Sequence, residues 1–323
     1  MYTVVLIFFV IVLNFVIFEA MPGYQGSLYT VLANPRLTTE QRNAQIALYG
    51  LSGDPWSRFL TYVRNLLTFQ FGISYKDNLP VSELIVTSGR LENTLLLLGT
   101  STVMAIVVGT LLGILVSKRR GSSLDNLMVT SSLTTFSLPT FFMGILLIFA
   151  FALTLHWFPP GNVTPTLWGQ SNNPVLPPIW LQYLIRAQHL FLPALTLTLF
   201  SYGGFLLLTR ATMMETLNED YILTARAKGL SGRVILFHHA FKNASLPLIT
   251  ASALSFGSIL GGAIITETVF NWDGLGQWLY TAVLYKDFPV MQAMFYIIAL
   301  CVIAANLISD ILYGIADPRV KYE

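Results

Sequence analysis

Six stretches of this chain are too apolar, over too many consecutive positions, to be anything but helices in lipid or the heart of a large core: residues 2–18, 94–116, 127–155, 190–208, 246–265 and 291–315. A hydrocarbon layer about 30 Å thick calls for about 20 predominantly apolar residues in helical form. Composition decides between lipid and core. Of the 323 residues 54% are hydrophobic and only 11% charged, whereas an ordinary soluble domain carries about 25% charge. A water-facing surface cannot be built from so few charges. The chain reads as an all-α integral membrane protein with six transmembrane helices.

The same inventory excludes other classes. A net charge of +2 is too small for a phosphate-binding footprint. The single cysteine, Cys301, cannot form an internal disulfide. A cleavable leader is disfavoured at residues 2–18, because no basic residue precedes the run and Phe18-Glu19-Ala20 is a poor cleavage site.

Lysine and arginine set the orientation. Lys118, Arg119 and Arg120 follow the second run, and Arg210, Arg226, Lys228, Arg233 and Lys242 lie around the connection between the fourth and fifth. Arg319 and Lys321 end the chain, so ten of eighteen basic residues occupy three short segments on one side. The positive-inside bias puts that side, and both termini, in the cytoplasm. All six tryptophans (Trp56, Trp157, Trp168, Trp180, Trp272 and Trp278) fall on the other side, where interfacial anchoring is their simplest expectation. Residues 19–90 form a polar outer region, with a helical pattern over 55–68 and the breadth of a small extracellular subdomain. Residues 156–188, rich in proline, tryptophan and asparagine, suit an irregular cap.

Catalytic chemistry is nearly absent. There is no G-x-x-x-x-G-K-[ST] loop to cradle a nucleotide and no G-x-S-x-G elbow. His238-His239 lacks the carboxylate and the i+4 histidine of a helical zinc site. His156 and His189 sit at span ends, as polar interfacial side chains do. Ionisable residues inside spans mark ion-coupled carriers, yet Glu19, Arg210, Glu267 and Asp310 all lie at span ends. Asn14 and Asn306 suit helix–helix glue. An ion-coupled secondary carrier is therefore disfavoured, and a transporter of this composition must draw its energy from a partner. A scaffold or channel subunit is the remaining rival.

The loop 213–247 is the most informative segment. Asn218 is an N-cap candidate, Glu219 and Asp220 fill a first turn, Arg226 and Lys228 the last, and Gly229 can end the helix in a left-handed conformation where a Cβ would clash. Ser231 can start a second short helix to about Asn243, before Leu246-Pro247 opens the fifth span. Met214, Leu217, Tyr221 and Ala225 recur at i+3/i+4 spacing as a narrow apolar stripe. That stripe suits either headgroup contact or, given the small residues Ala225, Ala227 and Gly229, insertion into a protein groove. Elsewhere, Gly109/Gly113 and Gly257/Gly261 have the small-x-x-x-small spacing that lets helices approach closely, within the chain or with another subunit. Pro139 is placed to kink the third span.

The run Asp220-Tyr221-Ile222-Leu223-Thr224-Ala225-Arg226-Ala227-Lys228-Gly229-Leu230 resembles the cytoplasmic EAA loop of binding-protein-dependent ABC importers, in the version of the dipeptide/oligopeptide permease family. The resemblance covers nearly the whole chain: Tyr49-Gly50-Leu51 through Gly72-Ile73-Ser74, Pro80-Val81-Ser82-Glu83-Leu84, Arg90-Leu91-Glu92-Asn93-Thr94, Phe270-Asn271-Trp272-Asp273-Gly274-Leu275-Gly276 and Asp317-Pro318-Arg319 are all similar to the first permease subunit of that family. Leu223-Thr224-Ala225 stands where the general pattern has Glu-Ala-Ala, and Pro247 follows at a longer gap, both as in the peptide-permease branch.

The resemblance implies a type I ABC importer permease fold, with a first helix over 1–18, an extracellular region over 19–90, the permease domain over 91–313 and a cytoplasmic tail over 314–323. It implies a non-enzymatic pore subunit that binds no cofactor. ATP and Mg would reside on two partner ATPases, and a second homologous permease and an extracellular solute-binding protein would complete the assembly in the cell membrane. Asp220, Tyr221, Thr224, Ala225, Arg226, Ala227, Lys228, Gly229 and Leu230 would form the ATPase-coupling helix, Pro247 would end the loop, and Gly257 and Gly261 would pack against the other permease. The cargo would be peptides, or in sister systems oligosaccharides or other small solutes.

Overall fold

The computed structural model describes residues 2–20, 37–48, 54–169, 176–258 and 260–316. Among them the chain is helical, and the only bridge pairing is an isolated antiparallel contact between Ile73 and Pro80. It divides into two compact units, Met1–Thr94 with Asp273–Ala304, and Leu95–Trp272 with Ala305–Glu323.

In the first unit, α1 (Tyr2–Phe15) runs into a π-helical turn, Val16–Ala20. Next come α2 (Thr39–Leu48) and α3 (Pro55–Leu67). Thr38 and Gln41 cap α2 reciprocally: the Thr38 hydroxyl accepts from the Gln41 amide at 3.2 Å, and Gln41 Oε1 accepts from the Thr38 amide at 2.9 Å. Helix α3 starts where the sequence pattern predicts. Asp54 accepts from the amides of Trp56 and Ser57, and Pro55 occupies the first helical position, where its missing N–H costs nothing. Phe59 and Tyr62 of α3 meet Phe15 of α1 edge-on, at 5.1 and 5.4 Å between ring centroids. Asn14 performs the gluing role expected of it, donating from Nδ2 to the Gln292 carbonyl at 3.2 Å.

Short helix α4 (Val81–Thr87) precedes α5 (Arg90–Ser117). Arg90 pairs with Asp273 at 2.7 Å and lies over the Trp278 ring at 4.5 Å. Trp278 and Trp272 are buried, so neither is the interfacial anchor expected from its position; Trp56, Trp157 and Trp180 are exposed.

The second unit contains α6 (Ser123–Ser137), α7 (Thr140–Leu147, continued as a π-helix over Ile148–Thr154) and the long α8 (Ile179–Thr216). After α8 come α9 (Asp220–Ala227), α10 (Gly232–Val234), a π-helical segment Ile235–Ala240, α11 (Phe241–Ser258) and α12 (Leu260–Val269). The first unit resumes with α13 (Leu275–Tyr285), which leads to α14 (Phe288–Ala316).

Among the described residues, three helices are long and apolar enough to cross a membrane: Arg90–Ser117, Ile179–Thr216 and Phe288–Ile308. The run 127–155 departs from expectation. It forms two helices, Ser123–Ser137 and Thr140–Thr154, that meet at 106°. Pro139 does more than kink: it has no N–H to donate and drives Leu138 to ψ 135°, outside the helical region, so the helix ends and restarts. The run at 2–18 appears as a shorter apolar helix, Thr3–Phe18. The run at 246–265 is shared between α11 and α12, on either side of position 259, which lies outside the described residues.

Two glycines decide how α5 meets α8. A Cβ on Gly109 would lie 2.5 Å from the Tyr202 carbonyl oxygen, and one on Gly113 would lie 2.5 Å from Thr209 Cβ and 2.8 Å from the Leu206 carbonyl oxygen. Only a missing side chain permits this approach, so this pair serves packing inside the chain. The bend at Gly161–Asn162 is fastened from two sides. The His189 ring nitrogen Nδ1 lies 2.7 Å from the Gly161 carbonyl, and the Asn162 amide donates to the Phe270 carbonyl at 2.8 Å. His189 is thus a buried strut, not an interfacial side chain.

Candidate functional site

The segment between α8 and α11 carries the sequence motif, and its geometry can be built residue by residue. Glu219, not Asn218, is the residue before the helix: its ψ of 148° is extended and Asp220 is the first helical residue. The shift places the Asp220 carboxylate in the first turn, where the helix dipole favours it.

The C-terminus closes as the sequence predicts. Gly229 has φ +75°, its amide donates to the Arg226 carbonyl at 2.9 Å, and the Leu230 amide reaches back to the Ala225 carbonyl at 3.4 Å. These two bonds are the crossed pair of a Schellman ending. The reason for glycine is not steric, however. A Cβ built at Gly229 meets nothing within 4 Å; the penalty for another residue comes from its own backbone.

Burial changes which face matters. Ile222 and Ala225 are 0% and 5% exposed and pack in a cluster with Ile114, Met213, Ile235, Ala240 and Ala244. Of the expected stripe, Ala225 lies in this cluster and Leu217 packs against it, whereas Tyr221 is 38% exposed; Met213 and Ile222, one position from Met214 and Tyr221, take the buried places. Ala225 belongs to the chain's own core and cannot be the residue that enters a partner's groove. Its small size lets α9 sit tightly on that core.

What α9 presents outward is Asp220, Tyr221, Leu223, Thr224, Arg226 and Ala227, followed by Lys228, Gly229 and Leu230, all exposed. Leu223 is 58% exposed. Thr224 Oγ1 donates back to the Asp220 carbonyl at 3.2 Å, and the Tyr221 hydroxyl accepts from Asn243 Nδ2 at 2.8 Å. The latter bond spans α9 and α11, holding the outward face in register with the helix behind it.

That second helix is longer than expected. From Gly232 it passes through a π-helical stretch and continues to Ser258 without ending at Asn243. Pro247 lies inside α11 instead of opening it. Gly257 and Gly261 fall in α11 and α12, on either side of position 259, and carry no described packing.

One pair escaped sequence reasoning. Asp125, 1% exposed, receives two bonds from Arg210: Nε to Oδ1 at 2.6 Å and Nη2 to Oδ2 at 2.8 Å. Its Oδ2 also accepts from the Gly121 amide at 2.9 Å, and Ser122 caps the same turn. The bidentate pair clamps the start of α6 to α8 ten residues before α9 begins. The only sequence signal was the Ser122-x-x-Asp125 capping pattern beside a lone arginine.

Among the described residues, no group of three or more His, Cys, Asp or Glu side chains could hold a metal ion. The arrangement is one for contact: a short, rigidly closed helix with a mixed outer face on a buried apolar seat.

Residues 109–322 match the family described as binding-protein-dependent transport system inner membrane component. The chain is 38% identical over 312 residues to the oligopeptide transport system permease protein AppB of Bacillus subtilis strain 168, covering 96% of this chain and 94% of that one. It is 35% identical over 311 residues to the dipeptide transport system permease protein DppB of Escherichia coli K12, covering 92% and 91%. It is 32% identical over 323 residues to the di/tripeptide transport system permease protein DppB of Pseudomonas aeruginosa UCBPP-PA14, covering 98% and 95%. With its apolar helices and closed α9 motif inside the matched region, the chain belongs to the family of binding-protein-dependent transport system inner membrane components.

Proposed function

We propose that this chain is the pore-forming permease subunit of an ATP-driven importer that moves di- or oligopeptides across the cell membrane by alternating access. The observation that carries the coupling role is α9. Its outer face, centred on Leu223, Thr224 and Ala227, is exposed while its inner face, Ile222 and Ala225, is seated in the chain's own core. A helix built this way transmits force from a partner to the helices behind it without having to unfold.

In this reading two ATPase subunits hold ATP and Mg and hydrolyse the nucleotide. A second, homologous permease completes the pore, and an extracellular solute-binding protein delivers the cargo. The peptide assignment is supported by the names of the relatives, which are permeases of oligopeptide, dipeptide and di/tripeptide systems. Six spans with both termini cytoplasmic follow from the charge distribution. Residues 1–18 form the first span, 19–90 the outer region, 91–313 the permease domain and 314–323 the tail. The spacing of Gly257 and Gly261 would let a helix of the second permease approach closely.

The assembly, reconstituted in proteoliposomes, tests this. Uptake of a labelled dipeptide or oligopeptide should require internal ATP, both ATPases and external binding protein. Uptake by this chain driven by a proton gradient alone, with no ATPase present, would refute the proposal.

A further inference from the structure

Helix α3 (Pro55–Leu67) has two apolar faces, and the described residues cover only one of them. At 3.6 residues per turn, Trp56, Leu60, Val63 and Leu67 fall within an arc of about 60°. Trp56, Leu60 and Leu67 are 66%, 51% and 56% exposed. The neighbouring arc, Phe59, Tyr62 and Leu66, is the one packed inward, with Phe59 and Tyr62 against Phe15 of α1. Beyond the exposed arc the surface turns polar at Ser57, Arg64 and Thr68. The helix carries two arginines and no acidic residue.

We propose that α3 is an interfacial helix lying in the outer membrane surface, its partner the lipid itself. Three observations on this unit point to lipid in preference to a protein. The exposed arc joins tryptophan and leucine to an arginine edge, the composition of a helix immersed about 5–10 Å into the headgroup boundary. Arg64 sits one turn from both Leu60 and Leu67, a spacing from which its stem can cover the apolar arc while its guanidinium reaches lipid phosphate. The same unit also carries a second exposed apolar surface: α1, onto which α3 is packed through Phe15, exposes Val5, Phe8, Phe9 and Leu13. A Trp-anchored helix fastened at the end of a span would fix that span's depth and the entry angle of the outer region. The outer placement rests on the topology proposed above; the lipid contact itself rests on α3.

Single nitroxide labels at Leu60, Leu67, Ser57 and Arg64, with Phe9 of α1 as reference, test it in the complete assembly in anionic nanodiscs, on a Cys301→Ala background. Collisions with oxygen should exceed collisions with a water-soluble nickel chelate at Leu60 and Leu67, and the order should invert at Ser57 and Arg64. Lipids brominated near the headgroup should quench a part of the intrinsic fluorescence that Trp56→Phe removes. Labels at Leu60 and Leu67 shielded from both reagents would mean a protein partner and overturn the proposal; free nickel access at both would mean water and overturn it equally. A water-accessible Phe9 would instead overturn the first span and leave the α3 readings to stand by themselves.

Discussion

Replacing Gly229 separates two explanations of a glycine that sequence reasoning merges. The residue has φ +75°, yet a Cβ there would meet nothing within 4 Å. All the cost of substitution must come from the left-handed backbone, about 1–2 kcal/mol for an ordinary L-residue. Asparagine tolerates that region better, and valine, β-branched and stiff, tolerates it worst. A cost of one to two kcal/mol shifts a two-state closure by a factor of about 5–30. The closure has two reporters, the amides of residue 229 and Leu230 that donate to Arg226 and Ala225. Hydrogen exchange over residues 225–232 should therefore accelerate by about that factor in Gly229→Ala, less in Gly229→Asn and more in Gly229→Val. Uptake by the reconstituted assembly should fall in the same order at unchanged membrane abundance, because ATPase turnover no longer reaches the spans through a closed helix. Equal exchange in all three variants would refute a conformational role for this glycine. Lost uptake with undisturbed protection would refute the link between helix closure and coupling. Ala225→Glu makes the contrast: with Ala225 5% exposed in the chain's own cluster, a buried carboxylate should lower the amount of folded protein before any transport is measured.

Three further outcomes follow from the structure. Truncating either partner of the Asp125–Arg210 pair should cost about 1.5–3 kcal/mol, the range of charge-assisted hydrogen bonds, because Arg210 keeps 27% of its side chain exposed, while Asp125→Leu with Arg210→Met should recover most of it, read as detergent-resistant thermal stability; a double variant as weak as either single would exclude the pair as the cause. Burial pushes the Asp287 carboxyl above the ordinary value of 3.8, against opposing bonds from Ser74 Oγ at 2.5 Å and the Lys76 amide at 3.1 Å. The folded state therefore holds its proton more tightly than the unfolded one, so this group's contribution is complete below 3.8 and is lost as pH rises through the raised folded value. Melting curves against pH should show that fall in the wild type and not in Asp287→Asn; identical profiles would exclude Asp287 as its source. Cysteines at Ser123 and Ile179, both exposed, should label from opposite faces of the membrane on a Cys301→Ala background, and labelling from one face would remove the proposed topology.

Much of this protein is legible in its sequence because lipid imposes a length and a composition on any helix that crosses it. The apolar runs at 94–116, 190–208 and 291–315 lie within α5, α8 and α14. Local chemistry was equally readable where it depends on a few neighbouring residues. Asp54-Pro55 starts α3 through a side-chain cap and a proline that needs no N–H. Gly229 ends α9 because a Schellman ending needs a left-handed residue.

What only the tertiary structure decided involves partners distant in the chain. Pro139 announced a bend but not its size: the two halves meet at 106°. Tryptophans 272 and 278 have anchor positions in sequence, yet both are buried, and Arg90 lies over the Trp278 ring. Ala225 and Tyr221 both satisfied the stripe of α9. The structure turns Ala225 inward, onto Ile114, Met213 and Ile235 from three other segments, and leaves Tyr221 38% exposed. Asp125 and Arg210 are 85 residues apart, and nothing along a sequence brings two such charges within bonding distance. A helix pattern is periodic and local, so one chain suffices to read it; the face that a helix turns inward is a choice among neighbours, and folding alone supplies them.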